Sequence, residues 1–290
     1  MSAPSARFAV LAPGGTDAPA AGRDLRDVAD WFGAVSGGTW APAPDAPLTL
    51  RLDHPLARYA GDGGLSARAP NSRDLLAAAL AALDAAGRAR VAAAGGRVLL
   101  VVPLPLRPHA WHPARGGIPL GFGGWCRRYA LVPSAAPLGT VAHELGHLLC
   151  DWPDGSASAG AACLMALGGL RGRGRTPAPP AAPLALQAGW RRALPLNAGT
   201  RLEALDAATV GTYQGAGAPL WVERRDGRLL AWTGPALRPE LLADLPSGER
   251  GDATVLGLLA PRLRARMAER GLREIEGPVD WDLHPGAPGV

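Results

Sequence analysis

Two histidines and a glutamate lie close together in one short segment. Their residue types and spacing indicate a more specific chemistry than those of any other part of the sequence. His143, Glu144 and His147 belong to the pentapeptide His-Glu-Leu-Gly-His. Histidines four positions apart on a helix project to one side and can bind a single Zn²⁺ through their imidazole nitrogens. The glutamate after the first histidine is placed to act as general base toward a water activated by the metal. The spacing therefore predicts a zinc-dependent hydrolase with Glu144 as its catalytic residue.

The residues around the pentapeptide predict an amphipathic helix. Pro137 and Thr140 are start signals, with Thr140 as the candidate N-cap. At about 100° per residue the apolar side chains fall on one arc, opposite the histidines and Glu144. The residues of this arc are Val141, Ala142, Leu145, Leu148 and Leu149. We expect the arc to pack on a core while the histidines face a cleft.

A third zinc ligand must come from outside the pentapeptide, and Asp151, Asp154 and Cys150 compete for the role. Asp151 lies on the same side of the helix as His143. On a continuous helix, however, it would lie about 9 Å beyond the metal along the axis, too far for a short side chain. Asp154 follows Pro153, which favours a turn back toward the metal. We predict Asp154 as the ligand and Asp151 as the less favoured alternative. Cys150 is interpreted as a small buried side chain.

Composition limits the other classes of function. The chain has 290 residues, 48% of them hydrophobic, which is enough to bury a sizeable core. Its formal charge of +5 comes from 30 basic and 25 acidic residues, and every basic residue is arginine. The arginines are scattered without an aromatic-interleaved patch, so no nucleic-acid partner is expected. Three cysteines cannot form a fully paired disulfide framework.

The sequence shows neither a secretory signal nor a membrane span. The apolar stretch near the N-terminus is short and broken by proline and glycine. The longest apolar run, 98–106, contains two prolines and is far shorter than a membrane span. As written, the chain is predicted to be cytoplasmic and without a membrane partner, and it would be secreted if its true start lay upstream.

Hydrophobic periodicity predicts a chain of the α/β or α+β class. Strand patterns occur at 7–11, 48–52, 98–102 and 129–132, and helical patterns at 24–35, 73–86 and 262–270. Asp226-Gly227 between two apolar runs, 221–225 and 228–232, is a strong hairpin signal. We predict a catalytic domain over 1–195 and a smaller hairpin-containing, β-rich section over 196–290.

Taken in order, these segments resemble the immune-inhibitor-A family of zinc metallopeptidases, which is metzincin-like. The helix at 139–149 and the triplet Trp152-Pro153-Asp154 are similar to the family's zinc helix and its Leu-Pro-Asp. The segment 163–166 is similar to the family's segment around the Met-turn, and the segments 175–178 and 186–190 are similar to the loop and helix just beyond it. Weaker similarity reaches 28–36 and 220–225. The resemblance touches most of the chain, and its middle is the specific part.

The resemblance implies a twisted sheet backed by helices, with the metal helix at the floor of the cleft. It also implies one zinc per chain, a protein or peptide substrate, and Met165 as a hydrophobic floor beneath the ligands. The spacing departs from the family pattern, which would put glycine at Cys150 and aspartate at Pro153, so one extra residue precedes Asp154. Acidic clusters are sparse, which argues against the calcium sites that are common in the family.

Several residues and two further functions stay open on the sequence alone. His109 and His112 either line a substrate cleft or are solvated loop residues, and Tyr129 is a candidate oxyanion donor. The basic loop either favours acidic substrates or is simply solvated; its arginines are Arg171, Arg173 and Arg175. The alternatives to an endopeptidase are a catalytically inactive, metal-stabilised binding module and a zinc hydrolase for one dedicated substrate. The sequence does not indicate an oligomeric state.

Overall fold

The chain folds into two compact units of mixed α/β structure. A computed structural model describes residues 7–14, 25–60, 70–103, 109–110, 118–119, 125–126, 128–213, 219–247 and 253–269. The described residues of 2–153 and 168–178 form the N-terminal unit, and those of 154–167 and 179–290 form the C-terminal unit. Among the described residues, none of the helices is both long and apolar enough to cross a bilayer.

The N-terminal unit is built on a largely parallel sheet. Its strands are β1 (Arg7–Gly14), β2 (Ala43–Pro44), β3 (Leu48–Arg51), β4 (Arg97–Val102), β5 (His109–Ala110) and β8 (Arg128–Pro133). They run in the order β2-β1-β4-β8-β5, with β3 also paired to β1, and only β5 is antiparallel to its neighbour. Two short strands, β6 (Ile118–Pro119) and β7 (Trp125–Cys126), form a separate antiparallel pair.

Helices cover this sheet because its central strands are apolar on both faces. The helices are α1 (Arg26–Val35), α2 (Leu56–Ala60), α3 (Pro70–Ala81), α4 (Ala85–Ala93) and α5 (Leu138–Cys150). One face is buried under α3 and α4; its core includes Ala9, Leu11, Leu75, Leu76, Leu80, Val91, Val98, Leu100 and Leu131. The alternate strand residues are equally buried, and α5 packs against β4 and β8 and contacts α1.

The single helix expected over 73–86 is wrong, because two helices occupy this part of the chain. Helix α3 ends at Ala81, and α4 begins after Asp84. The Asp84 carboxylate accepts a hydrogen bond of 2.7 Å from the backbone N–H of Gly87 and so caps the new helix. Alanine-rich periodicity continues across the break, which hid the capping signal.

The C-terminal unit contains a second sheet, ordered β13-β12-β11-β10-β9. Its elements are α6 (Ala182–Gln187), β9 (Arg192–Pro195), β10 (Thr209–Tyr213), β11 (Leu220–Arg225), β12 (Arg228–Thr233), β13 (Glu240–Pro246) and α7 (Val255–Glu269). The predicted hairpin is confirmed: Asp226 and Gly227 have φ values of 49° and 70° and join β11 to β12. Residues 192–195, at the end of the predicted catalytic domain, pair with β10 of this sheet.

Candidate metal centre

Helix α5 carries both histidines and begins earlier than its sequence pattern suggests. It starts at Leu138 after Pro137, whose backbone is extended, so Thr140 lies inside the first turn and is not the N-cap. Gly139 sits directly against the backbone of Gly169, and a Cβ at Gly139 would lie 2.0 Å from the Gly169 carbonyl oxygen. Only glycine allows this approach, which places loop 168–178 on the helix one turn before His143.

The exposed part of α5 is a narrow stripe that contains the histidines. Thr140, His143 and His147 are half-buried, and every other residue from Val141 to Cys150 is buried. Glu144 is only 6% exposed, although glutamate is a residue type that carries a charge in water at neutral pH. The apolar arc is therefore buried as expected, and the histidines are the part of the helix that reaches toward solvent.

The two imidazoles approach each other with their Nε2 atoms. His143 Nε2 and His147 Nε2 are 3.1 Å apart. Two nitrogens that each lie about 2.0–2.1 Å from a tetrahedral zinc would be separated by about 3.3 Å. The spacing of the two nitrogens is therefore close to the value that a shared metal ion requires.

A backbone carbonyl fixes the orientation and tautomer of His147. The Nδ1 atom of His147 lies 2.5 Å from the carbonyl oxygen of Trp152. A carbonyl oxygen only accepts hydrogen bonds, so Nδ1 carries the proton, and Nε2 of the neutral ring keeps its lone pair. Metal-binding histidines are commonly oriented by this kind of contact to the second ring nitrogen.

The chain changes direction at the end of α5. Asp151 adopts the left-handed conformation, with φ 59° and ψ 24°, and the backbone N–H of Trp152 donates to the Gly146 carbonyl at 3.3 Å. The Asp151 carboxylate forms an ion pair with Arg128. The helix thus ends at Cys150, the left-handed Asp151 redirects the chain, and the Asp151 carboxylate is engaged by Arg128.

The structure brings Asp154 together with the two histidines. One possible ligand atom from each of His143, His147 and Asp154 lies within 4.8 Å of the others. Asp151 is not part of this group. Two imidazoles and one carboxylate are a donor set that suits zinc and leaves a coordination position for a further ligand. The residues present therefore fit the metal that the sequence predicts.

Cys150 does not offer a thiolate in this arrangement. Its side chain is buried and forms no disulfide. Burial, followed by the neighbouring charge of Asp151, raises the pKa of the thiol well above its usual range. A protonated thiol is a poor zinc ligand, because the thiolate is the form that binds metal.

Met165 lies in the irregular segment whose backbone contacts the residue after Asp154. The Met165 side chain is buried, and its carbonyl accepts a hydrogen bond of 2.5 Å from the Gly155 N–H. A Cβ at Gly155 would lie 3.0 Å from the Cβ of Ala166, so the backbone at Gly155 runs close to residue 166. The predicted role of Met165 beneath the ligands remains a prediction.

Of the other sequence candidates, Tyr129 is placed in a core. Its hydroxyl lies 3.0 Å from Ser72 Oγ, and its ring packs on the sheet face covered by α3 and α4. The backbone of His109 lies in β5, paired with Leu131 of β8, whereas His112 lies outside the described residues. The side chains of the basic loop are exposed; they are Arg171, Arg173 and Arg175.

Sequence reasoning missed contacts that depend on backbone atoms or on distant parts of the chain. The Trp152 carbonyl carries no signal in residue type, because any residue has this acceptor. Arg128 and Gly169 are far from the pentapeptide in sequence, and their contacts with Asp151 and Gly139 arise only from the fold. No model of a known protein family matches the chain, and a search of curated proteins finds no match to it.

Proposed function

We propose that this protein is a zinc-dependent endopeptidase of metzincin-like fold. The observation that carries the proposal is the group of His143, His147 and Asp154, with histidine Nε2 atoms 3.1 Å apart and Glu144 directly after the first ligand. A cluster of two histidines and an aspartate, or a buried glutamate, is common in proteins when it occurs alone. The combination of a zinc donor set with an adjacent buried carboxylate is typical of metal-assisted hydrolysis.

In this proposal five residues of the stretch 143–154 divide three roles among them: metal binding, proton transfer and orientation of a ligand. His143, His147 and Asp154 hold the metal. When bound, zinc supplies Lewis acidity, which polarises the scissile carbonyl and lowers the pKa of water. Glu144 accepts the proton of the attacking water and then delivers it to the nitrogen of the leaving amine. The Trp152 carbonyl keeps the His147 ring in the tautomer that leaves Nε2 available.

The proposal is tested by separating metal binding from proton transfer. Purified protein should contain about one zinc per chain, the stoichiometry of a single mononuclear site. Glu144→Gln removes the base without removing a ligand, so it should keep the zinc and lower peptide cleavage by about 100- to 10,000-fold. Glu203→Gln is the matched control, because Glu203 is exposed and lies in the other unit.

Three results would redirect the proposal. Undiminished turnover by Glu144→Gln would contradict the role of this residue. Bound zinc with no cleavage of any peptide library by the wild-type protein would favour a metal-stabilised binding module. Cleavage of one defined protein, with no turnover of generic peptides, would favour a zinc hydrolase for a dedicated substrate.

A further inference from the structure

A carboxylate is completely buried in the C-terminal unit, inside a cluster of cationic and aromatic donors. Glu223 lies on β11; its Oε2 accepts from Arg191 Nη1 at 2.5 Å, and its Oε1 accepts from Arg225 Nη2 at 2.6 Å and Trp232 Nε1 at 2.8 Å. Buried charges cost free energy even when they are paired, and apolar residues of the same volume are often as stable. The arrangement therefore suggests a role beyond stability. The other hydrogen bonds that Arg225 donates indicate what this role is.

Arg225 connects this cluster to an irregular part of the backbone. Its Nη1 donates to the Ala162 carbonyl at 2.8 Å, and its Nη2 donates to the Pro180 carbonyl at 2.9 Å. Ala162 lies two residues before Leu164, and Pro180 follows Pro179, whose carbonyl accepts a hydrogen bond of 3.1 Å from the Leu164 N–H. Residues 163–166 lie outside helices and strands and have no repeating backbone ladder, so contacts of this kind fix their position.

The same segment holds the backbone next to Asp154. Met165 accepts the hydrogen bond from Gly155, and Gly155 lies so close to Ala166 that a Cβ added at Gly155 would be 3.0 Å from the Ala166 Cβ. Ser156, the residue after Gly155, is held by a hydrogen bond of 2.8 Å from its Oγ to the Pro239 carbonyl. A continuous series of contacts thus runs from the buried carboxylate through Arg225 and segment 162–166 to the residues after Asp154.

We propose that Arg225 is a positioning residue for the third metal ligand. Glu223 orients the Arg225 guanidinium, Arg225 holds segment 162–166, and that segment holds the backbone beside Asp154. The inference rests on the proposed zinc site, and it assigns to the buried ion cluster a role in metal affinity. The two histidines do not depend on this cluster, because they share one regular helix.

The test measures zinc affinity of the full chain by competition with a chromophoric chelator. Arg225→Ala should weaken zinc binding by about 10- to 100-fold, the range found for residues that orient a ligand. The visible absorption spectrum of the Co²⁺-substituted protein should also change, because the carboxylate ligand is displaced. Arg225→Lys keeps a cation beside Glu223 and should give a smaller loss, so it remains informative if the alanine variant folds poorly.

Arg228→Ala is the matched control. Arg228 lies on the neighbouring strand β12 and pairs with Asp244 at 2.5 Å, but both side chains are well exposed. Its removal takes away an arginine and an ion pair from the same sheet without touching segment 162–166. Zinc affinity and the Co²⁺ spectrum should therefore match those of the wild-type protein.

A double-mutant cycle with Asp154→Ala separates positioning from general stabilisation. If Arg225 acts through Asp154, Arg225→Ala should cause no additional loss of zinc affinity in the Asp154→Ala background. An equal loss in both backgrounds, or unchanged zinc affinity with only lower thermal stability, would overturn the inference. If Asp154→Ala itself leaves zinc affinity unchanged, the failure lies in the proposed ligand set.

Discussion

The two histidines and the aspartate reach the candidate metal centre by different structural means. His143 and His147 lie one turn apart on α5, so the regular geometry of a helix brings their Nε2 atoms to 3.1 Å. Asp154 lies beyond the end of that helix, after a left-handed residue, in backbone that belongs to no helix or strand. Its neighbours are held by hydrogen bonds to residues far away in the sequence.

A sequence pattern can specify only some parts of a metal centre. Helical spacing is a local property, so two ligands on one helix can be identified from four consecutive peptide units. The position of Asp154 depends on the φ angle of Asp151 and on the partners of Gly155 and Ser156. A ligand of this kind tolerates a change in spacing, because a longer turn can bring it to the same place.

The largest effect is expected from removing the carboxylate of Asp154. Asp154→Ala should weaken zinc binding by more than about 100-fold, beyond the range for residues that only support a ligand. Asp151→Gly should leave zinc affinity unchanged, because it removes a carboxylate that pairs with Arg128 and keeps the left-handed turn. Competition with a chelator measures both variants, and the reverse order of affinities would assign the third ligand to Asp151.

A smaller effect is expected from a substitution in α5, the helix that carries the two histidines. Gly139→Ala forces a methyl group onto the Gly169 carbonyl, and the free energy of unfolding should fall by about 1–3 kcal/mol. Gly33→Ala is the matched control in α1, where the nearest atom to the added carbon is 4.0 Å away. It should stabilise the protein by about 0.5–1 kcal/mol.

Chemical denaturation measures the stability of both glycine variants. Equal stability of the two would mean that loop 168–178 does not rest on α5 as described. In that case local sequence alone would determine the placement of the two histidines, and they would differ more clearly from Asp154, whose placement depends on distant residues. A selective loss in Gly139→Ala would show that even a regular helix depends on a distant segment.

The sequence predicted the elements whose signals are local. The hairpin at Asp226-Gly227 follows from the φ angles these residues favour, and α5 follows from its apolar arc. The break between α3 and α4 was missed, because the apolar pattern runs through Asp84 and gives no sign that its side chain caps a new helix. The mixed α/β class was likewise predictable from the alternation of strand and helix patterns.

The parts that the sequence did not predict depend on contacts between distant residues. Tyr129 was a reasonable donor candidate by residue type, but strand alternation turns its ring toward α3, where Ser72 meets its hydroxyl. The pairing of β9 with β10 and the Glu223 cluster are likewise products of the fold. Residue types alone do not show which partner a buried arginine or tyrosine will meet.

X-ray absorption spectroscopy of the zinc-loaded protein tests whether two imidazoles and one carboxylate bind a single zinc ion. We expect only nitrogen and oxygen neighbours at about 2.0–2.2 Å, with the outer-shell scattering of two imidazole rings. Asp154→Ala should alter this spectrum, and Asp151→Gly should not. A sulfur neighbour at about 2.3 Å would show that Cys150 binds the metal. That result, or the absence of imidazole scattering, would contradict the account.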